Sequence, residues 1–143
     1  MDHVAIMKKK WKLIEKILMG EKTIESRWYV NKTAPWGKIS SGDIIYFKDS
    51  GCPVTAKATV SLVESFDNMT SEKIRQLRMR PDVVKGLMLN SPDSGFDSVK
   101  AKKYVLLIHL IKPERVSSFS IDKTGFGVSC AWMCVGNISK VKV

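Results

Sequence analysis

Residues 20–28 read Gly20-Glu21-Lys22-Thr23-Ile24-Glu25-Ser26-Arg27-Trp28. Gly20 follows an apolar helical run and takes the place where a left-handed residue ends a helix. From Thr23 to Trp28 the β-branched and aromatic content reads as a strand. Side chains alternate on a strand, so Thr23, Glu25 and Arg27 share one face and Ile24 points to the other. Lys22 stands at the turn into the strand. Two cations around one carboxylate suit a nucleotide: arginine offers a planar fork, lysine a point charge, and glutamate an acceptor for a base amino group. The competing reading is a buried Lys-Glu-Arg network that ties the turn to the core, since buried charge is costly unless paired.

Upstream, His3 to Met7 reads as a first strand. Residues 8–19 show helical spacing, with Trp11, Ile14, Ile17 and Leu18 on one face. Downstream, Tyr29 to Ser41 is a long polar connection holding Pro35 and Gly37, of a length that is often functional. Gly42-Asp43 is a turn before a strand over Ile44 to Lys48, and Val54 to Glu64 alternates as a half-buried strand. Thr70-Ser71-Glu72-Lys73 opens a helix, and Pro81 starts a second one through Leu89. Asn90 to Ser98 reads as a loop. Lys103 to Lys112 is nearly continuously apolar, as expected of a strand covered on both faces. Val116 to Gly127 reads as irregular, and Ala131 to Val135 and Ile138 to Val143 as short strands. The sum is an α+β fold: a small mixed β-barrel of about five to six strands with an N-terminal helix and inserted helices.

The 143 residues fit one domain, 1–143, with 44% apolar and 27% charged residues, which excludes a disordered chain. No apolar run is long enough for a membrane span, and the apolar pentad precedes Lys8, Lys9 and Lys10, the reverse of a signal peptide. A cytoplasmic location without membrane association is expected. Three cysteines (Cys52, Cys130, Cys134) and two histidines (His3, His109) give neither a disulfide framework nor a closed zinc set, so buried thiols, no metal and no cofactor are expected. His109, inside the apolar strand, reads as a satisfied core histidine. The net charge of +10 favours a polyanionic partner. The halves carry 11 basic against 8 acidic and 13 against 6, so the excess belongs to a folded surface and to no single tail.

The 20–28 stretch resembles the signature of the ASCH family, a Gly-x-Lys-x-x-Glu-x-Arg pattern just after the first helix. Gly20, Lys22, Glu25 and Arg27 match it. The Gly42-Asp43 turn and Ser129-Cys130-Ala131-Trp132, similar to a Ser-x-x-Trp element of bacterial members, extend the resemblance over most of the chain. It implies a PUA-like barrel whose cleft gathers the Lys, Glu and Arg, and a role in RNA binding or RNA-directed catalysis. Function varies more than fold in such superfamilies.

Some small relatives are amidohydrolases acting on N4-acetylcytidine. They use a lysine, a threonine three residues later and a later glutamate. Lys22 fits the first role, but Glu25 stands at the threonine position, and Glu64 and Glu72 match the last by order only. A ribonuclease would use Lys22 and Arg27 around a pentavalent phosphate with Glu25 as base. Lys22 and Glu25 are thus the catalytic candidates if the chain is an enzyme, a question the residues leave open. The expected partner is RNA, a nucleotide or a nucleoside. Lys22, Glu25, Arg27, Trp28, Trp36, Lys38 and Trp132 are the ligand-binding candidates. Trp28 and Trp36 would stack on bases or serve as core or lid, Lys38 would reach a phosphate or stand solvated, and Trp132 would wall the cleft. Lys73, Arg75, Arg78, Arg80 and Lys85 would track an RNA backbone or form a solvated helix face.

Overall fold

The computed structural model describes residues 1–89, 102–127 and 130–143. Six strands form one sheet: β1 (Asp2–Met7), β2 (Ile24–Tyr29), β3 (Ile44–Asp49), β4 (Val54–Phe66), β5 (Tyr104–Phe119) and β6 (Trp132–Gly136). Their spatial order is β2-β5-β4-β3-β1-β6, curled into a half-barrel. β1 and β3 run parallel and every other neighbouring pair is antiparallel. The mixed α+β architecture and the strand number agree with the sequence reading.

The sheet's inner face carries the main apolar cluster. β4 alternates as read, placing Val54, Ala56, Ala58 and Val60 inside. β5 is covered on both faces from Val105 to Ile108. Leu106, Ile108 and Leu110 join the inner cluster, while Val105 and Leu107 meet Ile24, Leu77, Val83 and Leu87 outside. That outer cluster seats two helices, α2 (Ser71–Met79) and α3 (Pro81–Gly86), against β2 and β5. Thr70 caps α2 by accepting the Lys73 N–H at 3.2 Å, and Pro81 opens α3. Gly86 is needed for close approach. A Cβ there would meet Ile24 Cγ1 at 2.5 Å and Cδ1 at 2.6 Å.

Four expectations are corrected. The helix over 8–19 is a 3₁₀ turn, Lys9–Trp11, followed by α1 (Leu13–Leu18). Lys12 breaks it in the left-handed region at φ 52°, where Lys8 and Lys12 would otherwise stack like charges one turn apart. Ile14 and Ile17 still bury the expected face, and Gly20 takes its left-handed cap at φ 75°. Residues 116–119 are strand: β5 passes a left-handed Lys112 and Pro113, then pairs Arg115 and Phe119 with Ala56 and Val54. Pro113 fits because the β2 register ends at the Ile24–His109 pair, leaving this part of β5 without β2 beside it. Residues 138–143 turn instead of extending, because the Asn137 side chain accepts the Ser139 N–H and starts a 3₁₀ turn, Ile138–Lys140. His109 is no core histidine. It stands half-buried on the outer face with Nε2 2.7 Å from Glu64 Oε1.

The three cysteines are free and half-buried. The loop read over 90–98 and Ser129 lie outside the described residues. No helix among the described residues is long and apolar enough to cross a membrane.

Candidate functional site

The chain leaves α1 through a tight turn in which Glu21 N–H and Lys22 N–H both donate to Lys16 O, each at 3.0 Å. This folds Lys22 back under the first residues of β2. Its Nζ donates to Ile24 O at 2.8 Å and lies 3.8 Å from Glu25 Oε2. Glu25 and Arg27 pair in register with Ile108 and Leu106, so both face the inner cluster, as the alternation implies. Lys22 and Glu25 are buried, 7% and 6% exposed.

The three charges are gathered but not saturated. Arg27 Nε is 3.4 Å from Glu25 Oε1 yet makes no hydrogen bond, and Glu25 Oε2 is likewise buried without one. Among the described residues, Arg27 Nη2 donates to Met7 Sδ at 3.7 Å, a weak acceptor. A network serving structure alone is expected to satisfy its buried polar atoms, because each unmade bond costs about 1–3 kcal/mol. Burial holds the Lys22 ammonium below the ordinary lysine range; Glu25 opposes this, while Arg27 and Lys16 add to it.

The wall over Arg27 is the indole of Trp132, 4% exposed, with the guanidinium carbon 4.9 Å from the ring centroid. Trp132 Nε1 donates to His3 Nδ1 at 3.1 Å, and His3 Nε2 meets Asp43 Oδ2 at 2.8 Å. Asp43 also accepts from the Ser40 N–H at 3.0 Å and from the Met1 amino group at 3.1 Å. Burial alone would raise the Asp43 carboxyl, but the bonds from His3, Ser40 and the amino group outweigh it and hold it below the usual range.

The same face continues to Tyr29, whose OH donates to Ala34 O at 3.1 Å. Burial, with Glu25 and Cys134 adding and Arg27 opposing, pushes that phenol up to about 12. Burial also raises the Cys134 thiol, against the pull of Lys38. Trp36 is half-buried and meets Tyr104 edge-on at 5.4 Å, with Lys32 Nζ 5.8 Å from its centroid. Lys38 is exposed.

Of the ligand-binding candidates, Lys22, Glu25, Arg27 and Trp132 therefore come together, and Trp36 and Lys38 lie in the loop beyond Tyr29. Trp28 does not join them. It packs into the outer cluster on the opposite face of β2. His3, Asp43, Met7 and Tyr29 belong to the site and were missed. Tyr29 was legible, being the next inward residue after Glu25 and Arg27. His3 and Asp43 meet only through the parallel β1–β3 pairing, which leaves no local signal.

The basic helices occupy the other face. Arg75 forks onto Glu72 at 2.7 Å, and Arg80 holds Glu64 and Asp82 at 2.7 Å each. Lys73 Nζ donates to Asn68 O at 3.2 Å, and Arg78 and Lys85 are exposed on the same two helices. Glu64 and Glu72 thus engage arginines away from Lys22, which leaves the deacylation set without either of these later glutamates. Glu64, Asp82 and His109 bring three possible metal-ligand atoms within 4.8 Å. The Arg80 guanidinium already supplies the cation there, donating to both carboxylates.

The half-barrel with a charged inner edge at β2 is an α+β fold similar to that of solved ASCH structures. In particular, the fold matches the ASCH structure from Zymomonas mobilis with a TM-score of 0.63, at 11% identity over 94% of this chain and 87% of that chain. One mutant of that protein gives 0.64 at 11% identity over 94% and 89%, and another 0.64 at 12% over 94% and 87%. At such identities the likeness speaks for the fold alone. No family model and no curated protein matches this sequence.

Proposed function

We propose that this chain binds single-stranded RNA or a nucleotide in the cleft formed by Lys22, Glu25, Arg27 and Trp132. One observation carries the reading: a buried cation–carboxylate set keeps a donor, Arg27 Nε, and an acceptor, Glu25 Oε2, in loose ion pairs but without a hydrogen bond. A ligand edge offering an amino group beside an acceptor atom, as adenine and cytosine do, complements that pair. The net charge of +10 favours a phosphate-bearing partner. Titrating the protein with labelled single-stranded RNA over a range of salt tests this. Affinity falls as salt rises, and Arg27→Gln weakens it at every salt concentration. No binding at low salt to RNA or to mononucleotides contradicts it.

A hydrolase acting on a modified nucleoside is the second reading, favoured by the depressed Lys22 amine, which suits a base or nucleophile. Incubation with acylated cytidines would release cytidine, and Lys22→Met would abolish the release. Absence of turnover across that panel rejects it.

A further inference from the structure

We propose that His3 and Asp43 are positioning residues for Arg27, acting through the indole of Trp132. The proposal rests on the reading that Arg27 meets the ligand, and extends the site to two side chains that never touch it.

The direction of each hydrogen bond follows from chemistry. An indole N–H only donates, so at 3.1 Å it must point at a lone pair on His3 Nδ1. The His3 proton is then on Nε2, directed at Asp43 Oδ2 at 2.8 Å. Asp43 has no donor to offer as a carboxylate, and it is fixed in turn by the Ser40 N–H at the turn before β3. The chain of donors therefore runs one way, from Trp132 through His3 to Asp43. Each member is buried: His3 is 0% exposed, Trp132 4% and Asp43 8%.

This arrangement does two things for Arg27. It fixes the indole plane, and with it the surface against which the guanidinium lies at 4.9 Å. It also leans electron density toward the ring, because a donated N–H backed by a carboxylate makes the π face more negative, and a cation over that face is held more firmly. Glu25 alone does not orient Arg27, since Nε makes no hydrogen bond to it. The indole supplies the orientation that the ion pair lacks. The members come from β1, β6 and the turn just before β3, at the far side of the sheet from β2 in strand order, so the relay also ties the two ends of the half-barrel together through Arg27.

The test needs no ligand for its first arm. In ¹⁵N-edited NMR spectra, Trp132→Phe identifies the Trp132 indole N–H, and Arg27→Gln identifies the Arg27 Nε–H. His3→Phe keeps a ring in the slot but removes the acceptor. We expect it to speed exchange of the Trp132 indole proton and to broaden the Arg27 Nε–H signal. His3→Asn, whose carbonyl stands where Nδ1 stood, restores both, whereas His3→Gln, which reaches toward Asp43 instead, does not. This pair gives the same discrimination should His3→Phe fail to fold. An Arg27 signal indifferent to His3→Phe, or equal behaviour of the Asn and Gln variants, overturns the proposal.

The second arm measures affinity for the labelled single-stranded RNA. His3→Phe lowers it about fivefold, the worth of one hydrogen bond, in the Arg27 protein, and leaves it unchanged in Arg27→Gln. Equal losses in both backgrounds overturn the relay. If the unmodified protein binds no RNA, the functional reading fails while the NMR arm still decides the relay.

Discussion

On the inner face of β2, Glu25 and Arg27 lie 3.4 Å apart without a hydrogen bond between Arg27 Nε and the carboxylate. On the outer face, Arg80 grips Glu64 and Asp82 at 2.7 Å each, and Glu64 also takes His109. Both sets mix cations with carboxylates, but the outer one saturates its members and fastens the α2–α3 junction to the sheet. The inner one is buried more deeply and saturated less. Charges that stay under-bonded where burial is most costly are the ones to expect at a ligand site. The basic residues differ between the two faces in the same way. On the helices Lys73, Arg75 and Arg80 are engaged with neighbours, whereas the inner set holds Arg27 against the indole of Trp132.

The strongest way to break this contrast is to remove the inner anion. Glu25→Leu leaves Lys22 and Arg27 facing each other in a buried space, and is expected to cost about 3–5 kcal/mol of stability by urea denaturation. A loss under about 1 kcal/mol would show that the inner charges are solvated and the contrast false. Next in size is the tight contact of α3 with β2 on the outer face. Gly86→Ala drives a methyl into Ile24 and should cost about 1–3 kcal/mol, with the outer cluster disturbed more than the cleft in amide exchange. Smallest is Arg75→Gln, which removes an exposed fork onto Glu72 and should change stability by less than about 1 kcal/mol, and by less still at high salt.

Tyr29 sharpens the same contrast through pH. Its folded-state value is raised from 10.0 to about 12, so the native protein keeps a proton that the unfolded chain releases in that interval. The resulting stability is complete below pH 10 and is lost as pH climbs through that window. Subtracting the ultraviolet titration of Tyr29→Phe from that of the unmodified protein should isolate a phenol ionising near 12. Ionisation near the ordinary value would place Tyr29 in solvent instead of against the inner cluster.

Much of this was legible in residues 20–28. Alternation put Glu25 and Arg27 on one face, the helix-ending Gly20 placed Lys22 beneath them, and the same period applied two residues further reaches Tyr29. Periodicity failed where a single backbone residue or a long-range pairing decides. Lys12 and Lys112 adopt left-handed conformations that no hydropathy pattern announces. Trp28 carries a base-stacking side chain, yet its odd register against Glu25 and Arg27 sends it to the outer cluster; here alternation was available and was outweighed by residue type. His109 looked interior because its neighbours are apolar, but those neighbours serve two different clusters and the histidine falls beside Glu64. His3 and Asp43 are 40 positions apart, and only the parallel β1–β3 register joins them.

A ligand at the inner face of β2 is the central proposal, and one titration decides it. Labelled single-stranded RNA is bound at low salt to the unmodified protein, to Arg27→Gln and to a Lys73→Gln/Arg75→Gln double variant. Loss of one charged hydrogen-bonding group predicts affinity lowered roughly 10- to 100-fold by Arg27→Gln. The helix variant should keep near-native affinity with a slightly shallower salt dependence. Native-like binding by Arg27→Gln, together with collapse of binding in the helix variant, would contradict the account and move the interface to the outer face.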